Sequence, residues 1–352
     1  MNHLLKELTT IHGPCGFEEE VAVYIAKRLK DSVDSLDIDG VGNLIVSKKG
    51  KQKGPTAVVA AHMDEIGFIV KKIEENGLLR FEKLGGHDDR ILLSQRVQIN
   101  TNVGLRPGVI GTISAHMKKF DDPQKVRTHQ QLYIDVGAAS KQEVIELGIK
   151  IGDTITWQPY FDQLTENRIV GKAFDDRAGC AVLIEAIEEL EANDFSGELI
   201  GVFTVQEEVG LRGARVISHQ QKADVAIALD TTAVSDTTEE MMDQTLELGA
   251  GTGIKVMDAS LIANKKVRNH LVEIAEQHTI PHQLEVFPGI GTDAGELTLA
   301  QHGIPTGVLS IPSRYAHSSI EVIDLKDLKA TKDLLVAFVK EMKSSDGYKV
   351  KI

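Results

Sequence analysis

The chain has 352 residues, 42% hydrophobic and 26% charged, and its 52 acidic against 39 basic residues give a formal net charge of −13. Such a chain reads as a soluble globular protein of two domains, or one large domain with an insertion, able to bury a sizeable core. The acidic excess argues against nucleic acid or an anionic membrane as a partner, and no apolar run reaches membrane-spanning length.

Leu4, Leu5 and Leu8 recur at helical spacing until Gly13-Pro14-Cys15-Gly16 breaks the helix, and residues 18–29 resume it with Val21, Ile25 and Leu29 on one stripe. Residues 1–10 show no signal-peptide pattern, and only two cysteines occur, Cys15 and Cys180. Two are too few for a disulfide framework or a thiolate zinc site, so both are expected as small buried residues of a reduced, cytoplasmic protein. Residues 33–38 and 43–47 flank an Asp39-Gly40 turn and predict a hairpin, and the basic segment 48–55 is expected as a solvated loop. The run Ala57-Val58-Val59-Ala60-Ala61 then predicts a strand buried on both faces, ending at His62-Met63-Asp64. If the extended geometry continues, His62 and Asp64 share one side, which suits a metal ligand beside its orienting carboxylate. Taken alone, the pair is more often just a strand ending in a polar turn.

After residue 68 the texture changes. Short apolar segments at 79–84, 96–101, 108–114, 131–136 and 153–158, with glycine turns between them, predict a small β-barrel or sandwich. One short helix is expected at 140–147 and a polar loop at 121–130. This block, 69–166, reads as a β domain inserted into the first. From residue 169, strands at 199–205, 225–229, 283–286 and 305–311 alternate with helices at 178–190, 262–278 and 325–342 and one starting at 213–216, with Asp176 as a helix cap. The expected fold is α/β: a three-layer α/β/α domain on a mixed sheet, made of residues 1–68 and 167–352, carrying an inserted β-barrel domain.

Polar chemistry follows the carboxyl ends of these strands. His62 ends the first, Gln206-Glu207-Glu208 follows the strand at 199–205, Asp230 follows 225–229, and His317 follows 305–311 through a short loop. Asp175-Asp176 precedes the long helix. Ligands of open α/β sheets bind beyond the carboxyl ends of the strands, so separate strands deliver two histidines and several carboxylates to one rim. Imidazole plus carboxylate is a donor set for zinc, manganese or cobalt. The donors exceed what one ion needs and fit two divalent ions about 3.5–4 Å apart with a carboxylate between them. The residues alone do not separate Glu207 from Glu208 as ligand or base.

The strings His62-Met63-Asp64-Glu65-Ile66-Gly67, Ala173-Phe174-Asp175-Asp176-Arg177-Ala178-Gly179, Gln206-Glu207-Glu208-Val209-Gly210, Asp230, Gly291-Thr292-Asp293-Ala294 and Tyr315-Ala316-His317-Ser318, in this order, closely resemble the M42 family of metallo-aminopeptidases. The family includes tetrahedral and glutamyl aminopeptidases, and some members carry an endoglucanase label. The resemblance spans nearly the whole chain, inserted domain included. It implies a dinuclear-metal aminopeptidase that trims short peptides. His62 and Asp230 would bind one ion, Glu208 and His317 the other, and Asp175 both; zinc is the first expectation, with cobalt or manganese as alternatives. Asp64 would accept the other ring proton of His62, and Glu207 would be general base for a water between the ions. The family often has a cis peptide at the Asp175-Asp176 pair. The loop bearing Gly291, Thr292 and Asp293 would wall the substrate pocket. His87 would be either a surface histidine or a group reaching the site. His116, His129, His219 and His282 are expected as surface or structural. The inserted domain would mediate assembly into homo-oligomers, including a tetrahedral dodecamer, and control substrate access. Family members prefer acidic, aliphatic or basic N-terminal residues, and the net acidity weakly disfavours acidic ones. Two other classes compete: a glycoside hydrolase, which needs no histidine-bound metal, and a non-catalytic peptide-binding scaffold, which need not keep Glu207.

Overall fold

The computed structural model describes residues 1–120, 122, 124–239 and 244–349. Positions 121 and 123, part of the loop expected at 121–130, lie outside the described residues. Helices α1 (Asn2–Thr10) and α2 (Glu19–Leu29) lead into strands β1 (Ser35–Ile38), β2 (Leu44–Lys49) and β3 (Gln52–His62). Strands β4 (Gly67–Ile73), β5 (Leu79–Leu84), β6 (Arg96–Thr101), β7 (Gly104–Ile110), β8 (Ile134–Asp135) and β9 (Thr154–Trp157), with helix α3 (Lys141–Glu146), make a separate unit. The chain then returns through β10 (Phe161–Gln163), β11 (Arg168–Gly171), α4 (Phe174–Glu189), β12 (Ser196–Thr204), α5 (Arg212–Gln220) and β13 (Val225–Ala233). It ends with β14 (Thr252–Met257), α6 (Lys265–Gln277), β15 (His282–Val286), α7 (Ala294–Leu297), β16 (Thr306–Arg314), β17 (Glu321–Asp324), α8 (Leu325–Lys340) and α9 (Ser345–Tyr348).

Among the described residues the large sheet runs β1-β2-β12-β3-β13-β16-β17-β11-β10, with β14 and β15 joined to it through β16. Its centre, β12, β3, β13 and β16, is parallel, and its flanks are antiparallel. The layering follows from β3. Ala57, Val59 and Ala61 pack into one core with α4 residues such as Ala178, Ala181 and Val182. Val58 and Ala60 point the other way, into a second core with Ile217 of α5 and Leu297 of α7. A strand apolar on both faces needs a helical layer on each side, which gives the α/β/α sandwich.

Strands β4-β5-β8-β7-β6-β9 close an antiparallel barrel. Alternate residues, among them Phe68, Val70, Phe81, Val97, Ile99 and Trp157, fill its interior. Closure therefore selects the barrel over the sandwich. The barrel's first strand starts at Gly67 rather than after residue 68, and Phe161–Gln163, expected inside the inserted block, pairs with β11 in the large sheet.

Two local expectations fail. Residues 48–55 are mostly strand, because β2 and β3 both pair with β12. The strand expected at 108–114 lies earlier, at β7, drawn there by its hairpin pairing with β6. Cys15 and Cys180 are both buried, free thiols. Among the described residues no helix is long and apolar enough to cross a membrane.

Candidate metal centre

The central parallel strands and the start of α4 deliver their polar ends to one rim. His62 Nε2 lies 3.2 Å from Asp175 Oδ1 and 3.9 Å from Asp230 Oδ1. His317 Nε2 lies 3.3 Å from Asp175 Oδ2 and 3.0 Å from Glu208 Oε1. The two carboxylate oxygens of Asp175 thus face different histidines. The donors form two groups, His62–Asp175–Asp230 and Asp175–Glu208–His317, each with its ligand atoms within 4.8 Å of one another.

Backbone contacts hold each donor. His62 Nδ1 faces the backbone oxygen of Asp64 at 3.1 Å, with the Asp64 carboxylate farther off at 3.5 Å. A proton on Nδ1 leaves Nε2 as the ligand atom. The Asp64 carboxylate, expected to serve that ring, also accepts the amides of Glu207 (3.0 Å) and Glu208 (3.2 Å). It therefore fixes the turn that separates these two adjacent glutamates. Asp175 opens α4 with non-helical dihedrals, and its peptide to Asp176 is cis. Asp176 caps the helix, its Oδ1 accepting from the amide of Gly179 at 2.9 Å. A Cβ at Gly179 would sit 2.3 Å from the same carboxylate, so only glycine fits. Glu65 sits beneath the strand end, buried, and accepts from Lys172 Nζ at 2.6 Å.

Two supports had no sequence signature. Glu321, 1% exposed, accepts the amide of Asp175 on one oxygen (3.0 Å) and that of His317 on the other (3.1 Å). The backbone oxygen of Gly86, from the barrel, lies 2.9 Å from His317 Nδ1 and plays for that ring the part Asp64 plays for His62. Gln206 and His317 themselves hold left-handed φ angles, 55° and 61°. Each costs about 1–3 kcal/mol and persists because these surrounding bonds determine it.

The electrostatics call for cations. Burial opposes charge on both histidines, yet the facing carboxylates outweigh it, holding His62 well above the imidazole range and pushing His317 up to about 12. Burial first, then neighbouring carboxylates, raise Glu207, Glu208 and Asp230 above the ordinary carboxylate range. Asp175 goes the other way: the two histidines overcome its burial and hold it low. A site whose imidazoles and most carboxylates all cling to protons is short of positive charge, which divalent ions supply. Glu208 Oε1 is buried and lies 3.0 Å from His317 Nε2, so both atoms face the space a cation could occupy. The residues fit the metals.

A cavity of about 510 Å³ opens beside the donors, lined by Glu207 and Glu208 and also by Leu211, Thr231, Phe287 and Ile290. Of the predicted pocket residues, Gly291 lines it. Thr292 and Asp293 do not; both are buried supports, Thr292 donating to Asp258 (3.1 Å) and Asp293 accepting from Thr204 (2.5 Å). Neither does His87 reach the cavity. Its ring packs 4.4 Å from that of Phe68 and 5.7 Å from that of Trp157, and burial lowers its pKa to about 3.

Comparisons with known proteins agree with this geometry. The M42 glutamyl aminopeptidase family model matches residues 42–334. The lysyl aminopeptidase of Pyrococcus furiosus is 36% identical over 346 residues, covering 97% of this chain and 98% of that one. Among solved structures, aminopeptidase APDkam598 from the archaeon Desulfurococcus kamchatkensis superposes with a TM-score of 0.93 at 42% identity, covering 99% of this chain and 96% of that one. The TET1 peptidase of Pyrococcus horikoshii, which can assemble into a tetrahedron or a large octahedral shell, superposes with a TM-score of 0.88 at 36% identity, covering 97% and 99%. End-to-end similarity of this kind, on a rim already built for metal, places the chain in the M42 family as an aminopeptidase, a metal-dependent hydrolase of peptides.

Proposed function

We propose that the chain is a dinuclear-metal aminopeptidase that removes N-terminal residues from short peptides with Glu207 as general base. The observation that carries this reading is Asp175, whose two oxygens face two different histidines. His62 and Asp230 would hold one ion and Glu208 and His317 the other, with Asp175 able to serve both. The donor set suits zinc, with cobalt or manganese as substitutes. The ions, when bound, supply Lewis acidity, polarising the scissile carbonyl and lowering the pKa of the attacking water toward about 7. Glu207 lines the cavity without a hydrogen-bonded partner that would occupy it, and its backbone is held by Asp64. Burial keeps its proton affinity above that of an exposed glutamate. Those are the properties of a group that takes the water's proton and returns it to the leaving amine. Asp64 acts through this turn and through His62 as a positioning residue. Glycoside hydrolysis would need two opposed carboxylates free to exchange protons; here Asp175, Asp230 and Glu208 are turned onto histidines.

The reading is tested with aminoacyl chromogenic substrates and their N-acetylated forms, assayed with each metal. Turnover of the free-amine substrates and none of the acetylated ones is expected. Equal turnover of both would remove the exopeptidase mechanism.

We further propose that the barrel, expected at residues 69–166 and bounded by Gly67 and Trp157, mediates assembly into a homo-oligomer and limits access to the site. Support comes from its exposed apolar side chains, Val103, Leu105, Val109 and Ile151, and from the shells formed by the TET1 relative. Light scattering at working concentration is expected to give a mass that is a multiple of 38.4 kDa, with a tetrahedral dodecamer as the fullest form. A monomer only would end this proposal.

A further inference from the structure

A buried charge cluster lies behind the cavity and takes no part in the chemistry above. Lys255 of β14 is fully buried, its Nζ 3.1 Å from Glu285 Oε1 of β15 and 4.0 Å from Asp258 Oδ2. Thr232, which lines the cavity, donates its hydroxyl to the same Glu285 oxygen. Sheet register explains the proximity. Lys255 pairs with Glu285, Gly253 with Ser310, and Ser310 with Asp230, so these side chains share one face with Thr232. Room for the carboxylate is made by Gly253, where a Cβ would stand 3.1 Å from Glu285 Oε2. Asp258 is engaged from the far side by Thr292 and by the amides of Ser260 and Leu261.

The consequence is a cavity with no free charge beyond the metal donors and Glu207. The rest of its lining includes Leu211, Thr231, Thr232, Ala233, Phe287 and Ile290. Lys255 stands between two carboxylates and behind Thr232, so an acidic side chain entering the cavity finds no partner in it. An ammonium or guanidinium reaching past the donors finds apolar side chains and the threonines Thr231 and Thr232, and no further carboxylate. Burying an unpaired charge there costs more than an apolar contact returns.

Resting on the aminopeptidase reading above, we propose that this cavity receives the side chain of the substrate's N-terminal residue and selects uncharged aliphatic residues, with Glu285 suppressing an acid specificity that Lys255 would otherwise confer. The family's glutamyl name and the lysyl relative's therefore do not carry over to this chain's preference.

The test uses the metal-loaded oligomer as isolated and a panel of leucyl, methionyl, glutamyl and lysyl p-nitroanilides. Wild type is expected to show kcat/KM for the leucyl or methionyl substrate about 100-fold or more above the glutamyl and lysyl ones. In Glu285→Gln, which frees Lys255, the glutamyl-to-leucyl ratio is expected to rise about tenfold or more, with metal content unchanged. Because Glu285 is buried and that variant is exposed to misfolding, Phe287→Lys serves beside it: Phe287 is partly exposed, and a cation at its position is expected to raise the same ratio. Wild-type preference for the glutamyl or lysyl substrate overturns the proposal. So does an unchanged ratio in folded Glu285→Gln, or in Phe287→Lys. Hydrolysis of none of the four overturns the aminopeptidase reading first and this inference with it, a result distinct from hydrolysis with the wrong preference.

Discussion

Glu207→Gln is expected to bind metal as the wild type does and to lose about 10²–10⁴-fold in kcat, with KM little changed. The substitution keeps volume and hydrogen-bonding reach but removes the ability to accept a proton. Glu207 is held by its backbone amide to Asp64, which the change leaves intact, so the turn carrying the neighbouring Glu208 stays in place. Metal content by elemental analysis and steady-state kinetics decide the matter together. Wild-type kcat in a fully metallated variant would take the base assignment away from Glu207. Loss of metal along with activity would instead assign it a ligand role and reverse the parts given to the two adjacent glutamates.

Removing the metals is expected to abolish turnover and to make the fold pH-sensitive in a defined direction. Each ion present at 100-fold its Kd stabilises the native state by about 2.7 kcal/mol, so chelation is expected to lower Tm by several degrees. In the chelated protein, burial and neighbouring carboxylates raise Glu321 from 4.5 to about 8 and raise Glu207 and Asp230 well above their ordinary range, while His317 is raised to about 12. Each of these groups keeps its proton in the folded state over a range where the unfolded chain has released it. Stability therefore falls as pH rises, beginning near 4.5 for the carboxyls, with the histidines adding their share above 6.5. Asp175, lowered, contributes in the opposite sense only below about pH 4. Melting curves of the chelated protein between pH 5 and 9 should descend, with added zinc, cobalt or manganese recovering more stability at the alkaline end. A chelated protein with full activity, or one whose Tm rises across that range, would contradict the metal-centred account.

The fold and the donors were legible for a common reason. A strand buried on both faces reads as a continuous apolar run, and a polar residue at its end is conspicuous. His62 after Val58-Val59-Ala60-Ala61, and Asp230 after Ala226-Ile227-Ala228-Leu229, stand out in this way. The supports were hidden because they are set by register between distant segments. Glu321 reads as an ordinary acid before an apolar pair, yet β17 pairs with β11 and β16 and places it under both Asp175 and His317. Gly86 contributes only a backbone oxygen, which no side-chain pattern reports. Thr292 and Asp293 show the opposite failure: polar residues in a glycine-rich loop look like pocket walls, but their hydroxyl and carboxylate are turned into the protein.

By itself, then, the sequence determined the α/β alternation, the barrel insertion as a change of period, and the set of histidines and carboxylates at strand ends, because hydrophobic periodicity and chain order are local properties. Tertiary structure alone decided that the two oxygens of Asp175 face different histidines, which atoms of Asp64 hold which partner, and that Lys255 lies against Glu285 behind the cavity. Those outcomes depend on interstrand register and on contacts between residues up to 231 positions apart, where the linear order of residues carries no signal.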